Sequence, residues 1–252
     1  MARGDYTDIA RVTPTLVDEA LRRGRVWTAA MLSGIAGMPA WLTNGDMASY
    51  RRQLAEVARH WTPHARPHWP DFLLLVGDAL ASIYEGRPQH GFELFEERAH
   101  VYGRHMLARG GGTGSIAYAV YHARCAAAVL GATPGLGQRR APRAARALRR
   151  SLALLSRYTT PKASASAQML RAALVFADGE QEACARLLAE AANGFERAGM
   201  HMFAAACRRR LGQLLGDDRG RELIARADRF MLAQGVVDLE AETEMDCPGC
   251  RR

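Results

Sequence analysis

With 252 residues, 48% of them hydrophobic, and a mean hydropathy of −0.19, the chain has apolar material for one large domain or two small ones. No apolar run reaches the roughly 18–20 residues of a membrane helix, and the opening MARGDYTDIARVTP lacks the apolar centre of a signal peptide, so a cytoplasmic location is expected. A net charge of +8 and a pI near 9.7 invite a nucleic-acid reading, but Lys162 is the only lysine and the arginines are spread along helical patterns, which disfavours it.

Residues 1–13 read as an N-terminal extension ahead of a helical domain spanning 14–236. Helices are expected at about 14–23, 26–42, 46–61, 70–85, 88–108, 115–130, 142–157, 161–178, 180–198, 201–215 and 218–234. Tyr50, Leu54, Val57, Ala58 and Trp61 form one apolar stripe at helical spacing; Cys184, Leu187, Leu188, Ala191 and Phe195 form a second. Leu223, Ile224, Ala227, Phe230 and Met231 form a third. Pro88 and Pro161 sit where a first helical turn tolerates the missing N–H. Asp46, and Asp217 or Asp218, are candidate N-caps, and Gly235 is a candidate left-handed C-terminal residue. Residues 237–252 read as an acidic, flexible tail (Asp238, Glu240, Glu242, Glu244, Asp246) ending in a Cys-Pro-Gly-Cys turn.

A glycine between an apolar helix and a second amphipathic helix recurs at Gly45, Gly86, Gly131, Gly179 and Gly216, at intervals of 37 to 48 residues. Such a unit predicts an all-α fold, a tetratricopeptide-like α-solenoid of about five helical hairpins, although the period is longer and looser than the ideal of about 34 residues.

The chemistry-bearing candidates are few. Gly110-Gly111-Gly112-Thr113-Gly114 lacks the lysine and the preceding strand of a phosphate loop, and reads as a turn between helices. His60, His64 and His68 are spaced by four, but Pro63 and Pro67 break any helix that would gather them. Cys247 and Cys250 frame half a zinc knuckle without a second C-x-x-C pair; a homodimer would have to supply it, so no metal is expected. The other cysteines sit singly in helical patterns, as small core residues do. Arg139, Arg140, Arg143, Arg146, Arg149 and Arg150 crowd together. Arg143, Arg146 and Arg150 share a helical stripe that is either a docking patch for an acidic partner or a solvated face. No H-E-x-x-H or G-x-S-x-G motif occurs, and neither catalysis nor a cofactor is expected.

The run from Ala192 to Val236 resembles the terminal part of the tetratricopeptide-like region of large bacterial, particularly myxobacterial, serine/threonine protein kinases. The resemblance lies in Gly194-Phe195, Met200, Arg208-Arg209-Arg210-Leu211-Gly212, Leu214-Leu215-Gly216, Ala227-Asp228 and Gln234-Gly235. It is specific only near this end of the chain, and the final DLEAETEMDCPGCRR departs from the family's usual ending. The kinase motifs themselves are missing: no H-R-D occurs, and Asp71-Phe72 is followed by Leu73 rather than glycine. The resemblance implies a regulatory or scaffolding interaction module that binds a kinase domain or signalling protein. The alternatives are a sensor array from a transcriptional activator or signalling ATPase and, less favoured, a nucleic-acid binder using the arginine stripe.

Overall fold

The structure, a computed structural model, describes residues 6–34, 36–61, 68–109, 113–133 and 141–251. Among them are thirteen helices and no strand. They are α1 Tyr6–Arg22, α2 Val26–Ser33, α3 Pro39–Leu42, α4 Met47–His60, α5 Trp69–Tyr84, α6 Pro88–Arg109 and α7 Thr113–Ala132. The rest are α8 Pro142–Leu155, α9 Pro161–Ala177, α10 Gln181–Arg197, α11 His201–Leu215, α12 Asp218–Ala233 and α13 Leu239–Asp246. From α5 to α12 each helix packs mainly on a chain neighbour, with α2 also against α4 and α5 and α9 also against α7, and α13 packs on α5, α7, α11 and α12 together.

The turns behave as their residues dictate. Gly45, Gly86, Gly179 and Gly216 all have φ between +68° and +89°, the left-handed backbone that glycine adopts without a Cβ penalty. Asp46 accepts from the Ser49 N–H at 2.9 Å, and Asp217, not Asp218, accepts from the Gly220 N–H at 2.7 Å. Thr160 caps α9 ahead of Pro161. The interior is alanine-rich: Ala123, Ala126, Ala127, Ala144, Ala173, Ala191 and Ala204 are all buried, and such short side chains let helix axes approach closely. The apolar cluster runs continuously from Tyr6 to Cys250, with a small satellite of Val17, Ala20, Ala29, Ala30 and Val57 beneath the first two helices.

Four expectations are corrected. The N-terminal extension is helical from Tyr6, with Pro14 inside α1, because Tyr6, Thr13 and Val17 are buried on one side of it. The single helix over 26–42 is two, α2 and α3. A Cβ on Gly34 would lie 2.8 Å from that of Leu73, and the Gly34 carbonyl accepts from Tyr50 Oη instead of continuing a helix. Gly131 is not a turn: it lies inside α7, where an added Cβ would stand 2.5 Å from Gly249 Cα. The supposed acidic tail is folded, with α13 capped by Asp238 (accepting from Ala241 N–H at 2.9 Å) and residues 242–250 all buried.

Candidate interaction site around the C-terminal segment

Burying a stretch that reads Leu-Glu-Ala-Glu-Thr-Glu-Met-Asp demands a partner or a proton for every carboxylate. The chain supplies both. On one face, Glu240 and Glu244, four apart, meet the consecutive arginines of α11. Arg210 Nη2 donates to Glu244 Oε2 at 2.7 Å and its Nη1 to Gln213 Oε1 at 2.8 Å. Arg209 bridges Asp228 of α12 (Nε to Oδ1, 2.8 Å) and Glu240. Arg209 holds Glu240 below the usual carboxylate range, against the upward push of burial; Glu244, more deeply placed, is pushed up by burial despite Arg210.

On the other face stand Glu242 and Asp246. Tyr6 Oη donates to Glu242 Oε1 at 3.0 Å, closing a contact between residues 236 positions apart. Arg124, entirely buried in α7, donates from Nε to the Met245 carbonyl at 3.0 Å and from Nη2 to Asp246 Oδ1 at 2.7 Å. Its guanidinium carbon lies 5.6 Å from the Tyr121 ring centre and 5.3 Å from that of Phe203. Burial, then the neighbouring Asp246 charge, drives the Glu242 carboxyl well above its ordinary range. Burial raises Asp246 as well, against the pull of Arg124. Of these two carboxyls in a dry interior, Glu242 is the one that burial and the Asp246 charge favour in its protonated form, while Asp246 pairs with Arg124.

The Cys-Pro-Gly-Cys turn follows directly. Gly249 (φ +81°) and Cys250 (φ +54°) both take left-handed backbone, and Gly249 lies against Gly131 of α7. Cys250 and Cys247 are 2% and 1% exposed, so a second copy cannot reach them to complete a shared zinc site. Their neighbours come from within the chain: Cys184 Sγ lies 3.2 Å from Cys250 Sγ, and Cys207 pairs with Cys247. Burial pushes the Cys250 and Cys207 thiols up, which keeps them protonated and unreactive. Among the described residues no group of three or more His, Cys, Asp or Glu side chains is placed to hold a metal ion.

The remaining candidates stay apart. Arg143, Arg146 and Arg150 lie on the solvent face of α8, whose opposite face buries Ala144, Ala147, Leu148 and Leu152; among the described residues only Arg143 of the three approaches a carboxylate, Glu96, at 3.6 Å. Arg139 and Arg140 fall outside the described residues, as do His64 and the glycines 110–112. His60 rests 3.0 Å from Glu56 on its own helix, and His68 opens α5 with its N–H donating to Asp71 at 2.7 Å. No described helix is long and apolar enough to cross a membrane.

No family model matches the chain, and comparison with curated proteins and with solved structures returns no match either.

Proposed function

We propose that the chain is a non-catalytic, tetratricopeptide-like interaction module, a regulatory or scaffolding partner of a bacterial serine/threonine protein kinase, whose helix-binding interior is occupied by its own residues 239–250. One observation carries this reading: a short acidic helix with a tight terminal turn lies buried against four other helices. Arg124, Arg209 and Arg210 clamp its carboxylates. Stacked helix pairs commonly recognise partner segments in this helix-in-groove manner, with apolar anchors for affinity and charge pairs for register. The occupant therefore advertises the chemistry the interior accepts: an acidic helix with an apolar residue at the Met245 position. A partner segment of that kind exchanges with the chain's own. The link to a kinase rests on the resemblance of residues 192–236.

The experiment is affinity purification from the native host with the whole chain as bait, followed by elution with a synthetic peptide covering residues 238–251. A kinase or its substrate recovered in stoichiometric amount and released by the peptide is the expected result. A folded bait that captures nothing specific, or a partner that the peptide cannot release, defeats the proposal.

A further inference from the structure

Beneath the C-terminal helix lies a cavity of about 120 Å³, bordered by Tyr6, Tyr121, Arg124, Lys162, Ser166 and Phe203 among others. A single water needs on the order of 10–15 Å³ of such space, so the cavity has room for a small organic ligand. Two of its walls are cationic. Arg124 commits Nε and Nη2 to Met245 and Asp246, but its Nη1 is buried with no hydrogen-bond partner among the described residues. A buried guanidinium nitrogen without an acceptor is costly, and each such nitrogen calls for an explanation. Lys162, the chain's only lysine, borders the same cavity from the first turn of α9, its side chain still open to solvent.

The charges do not balance. Of the charged residues that border the cavity, Arg124 and Lys162 are cationic and Asp246, paired with Arg124, is anionic. Surrounding protein atoms, and then the Arg124 charge, hold Lys162 below its ordinary range although its side chain still meets solvent. The first turns of α9 and α11 border the cavity through Lys162 and Phe203, adding the positive ends of two helices. Arg124 Nη1 and the Lys162 ammonium ask for a negatively charged oxygen, while Asp246 Oδ2, in the same lining and also without a partner among the described residues, asks for a donor such as the hydroxyl of a protonated oxyanion.

We infer that this cavity binds a small oxyanion, the phosphate or carboxylate group of a compact metabolite, between Arg124 Nη1 and the Lys162 ammonium, with the Ser166 hydroxyl beside it. The anion fills the vacant position on the guanidinium fork and neutralises the surplus cation. Because Arg124 also grips Met245 and Asp246, the bound anion reinforces the seating of α13. Occupancy of the cavity and release of the C-terminal segment therefore oppose each other. This site is independent of which protein the module binds.

Thermal melts of the whole chain at pH 7 and constant ionic strength test it, with chloride replaced stepwise by inorganic phosphate in one series and by malonate in another. The expected result is a saturating rise in melting temperature in at least one series, with calorimetric titration of the wild-type chain giving the same dissociation constant. A rise with phosphate alone identifies a phosphate ligand, and a rise with malonate alone a carboxylate. In Lys162→Met, whose lysine is at the cavity mouth rather than in the core, the affinity falls by at least about tenfold, the worth of one charge-assisted hydrogen bond. Absence of saturable binding in both series overturns the inference, as does a K162M response equal to that of wild type.

Discussion

α8 and α13 each carry charge of a single sign, arginines on one and carboxylates on the other, yet they solve the resulting problem in opposite ways. α8 confines Arg143, Arg146, Arg149 and Arg150 to its exposed outer side and packs alanine and leucine inward, so its cations stay in reach of water. α13 has no such division; Glu242, Glu244 and Asp246 are all buried. Its carboxyls survive burial because Arg124 and Arg210 reach them and because Glu242 keeps its proton. A run of like charge is thus compatible with either surface or core. What decides is whether opposite charge waits at the matching positions of distant helices.

The comparison can be broken most forcefully at Asp246. Asp246→Ala strips Arg124 of its counter-ion inside the core, and a buried pair that loses one member costs about 3–5 kcal/mol. Urea unfolding should show a loss of that size, and a midpoint unchanged from wild type would mean that α13 is not buried in solution. Gly131→Ala tests the same docking from the opposite side. Its methyl group meets the Gly249 backbone, so the terminal turn must shift, at a cost of about 1–3 kcal/mol of overpacking. Amide exchange at Cys247, Gly249 and Cys250 should accelerate in this variant while α8 is unaffected.

A subtler probe is pH. A free glutamate titrates near 4.5, whereas Glu242 in the folded chain holds its proton well above that value. The folded state therefore binds more protons than the unfolded state above pH 4.5, and the stability this proton confers is lost progressively as pH rises toward the folded value. Glu85, Glu196 and Glu240 act in the opposite sense: their lowered values make the chain lose stability as pH falls below about 4.5. Wild-type melting temperature should decline between pH 5 and pH 8, and Glu242→Gln should flatten that slope; equal slopes would remove the Glu242 proton from the account. The smallest effect belongs to α8. Arg146→Glu with Arg150→Glu should leave the melt unchanged, and a large destabilisation would show that this face is not simply solvated.

The helical periods and the glycine turns were legible because both are local. An i, i+3, i+4 stripe needs only its own residues, and Gly86 needs only its own φ. Gly131 misled for the same reason. Its neighbours, Leu130 and Ala132-Thr133-Pro134, look like the close of a helix, and only the approach of Gly249, far along the chain, explains it. The acidic tail failed similarly, since Arg124 precedes Asp246 by 122 residues. A signal was nevertheless present. Asp238 ahead of Leu239 is an N-cap, and Glu240 and Glu242 follow in the first turn, where acidic residues favour a helix start. Cys184 and Cys207 were read as isolated because their companions come from outside their own helices. The oxyanion cavity left no trace in the sequence, being assembled from five or more separate helices.

The hydrogen bond from Tyr6 to Glu242 has a kinetic meaning. Neighbouring helix pairs can form as soon as both members exist, whereas joining the first helix to the last closes a loop of nearly the whole chain, whose entropic cost rises with the logarithm of its length. During synthesis the central helices have their neighbours long before α13 emerges. Until it does, Arg124 and Arg210 stand without the carboxylates that neutralise them. Until α13 is made, the growing chain is therefore a cationic, incompletely filled helical assembly, and the arrival of that helix renders these helices chemically self-sufficient.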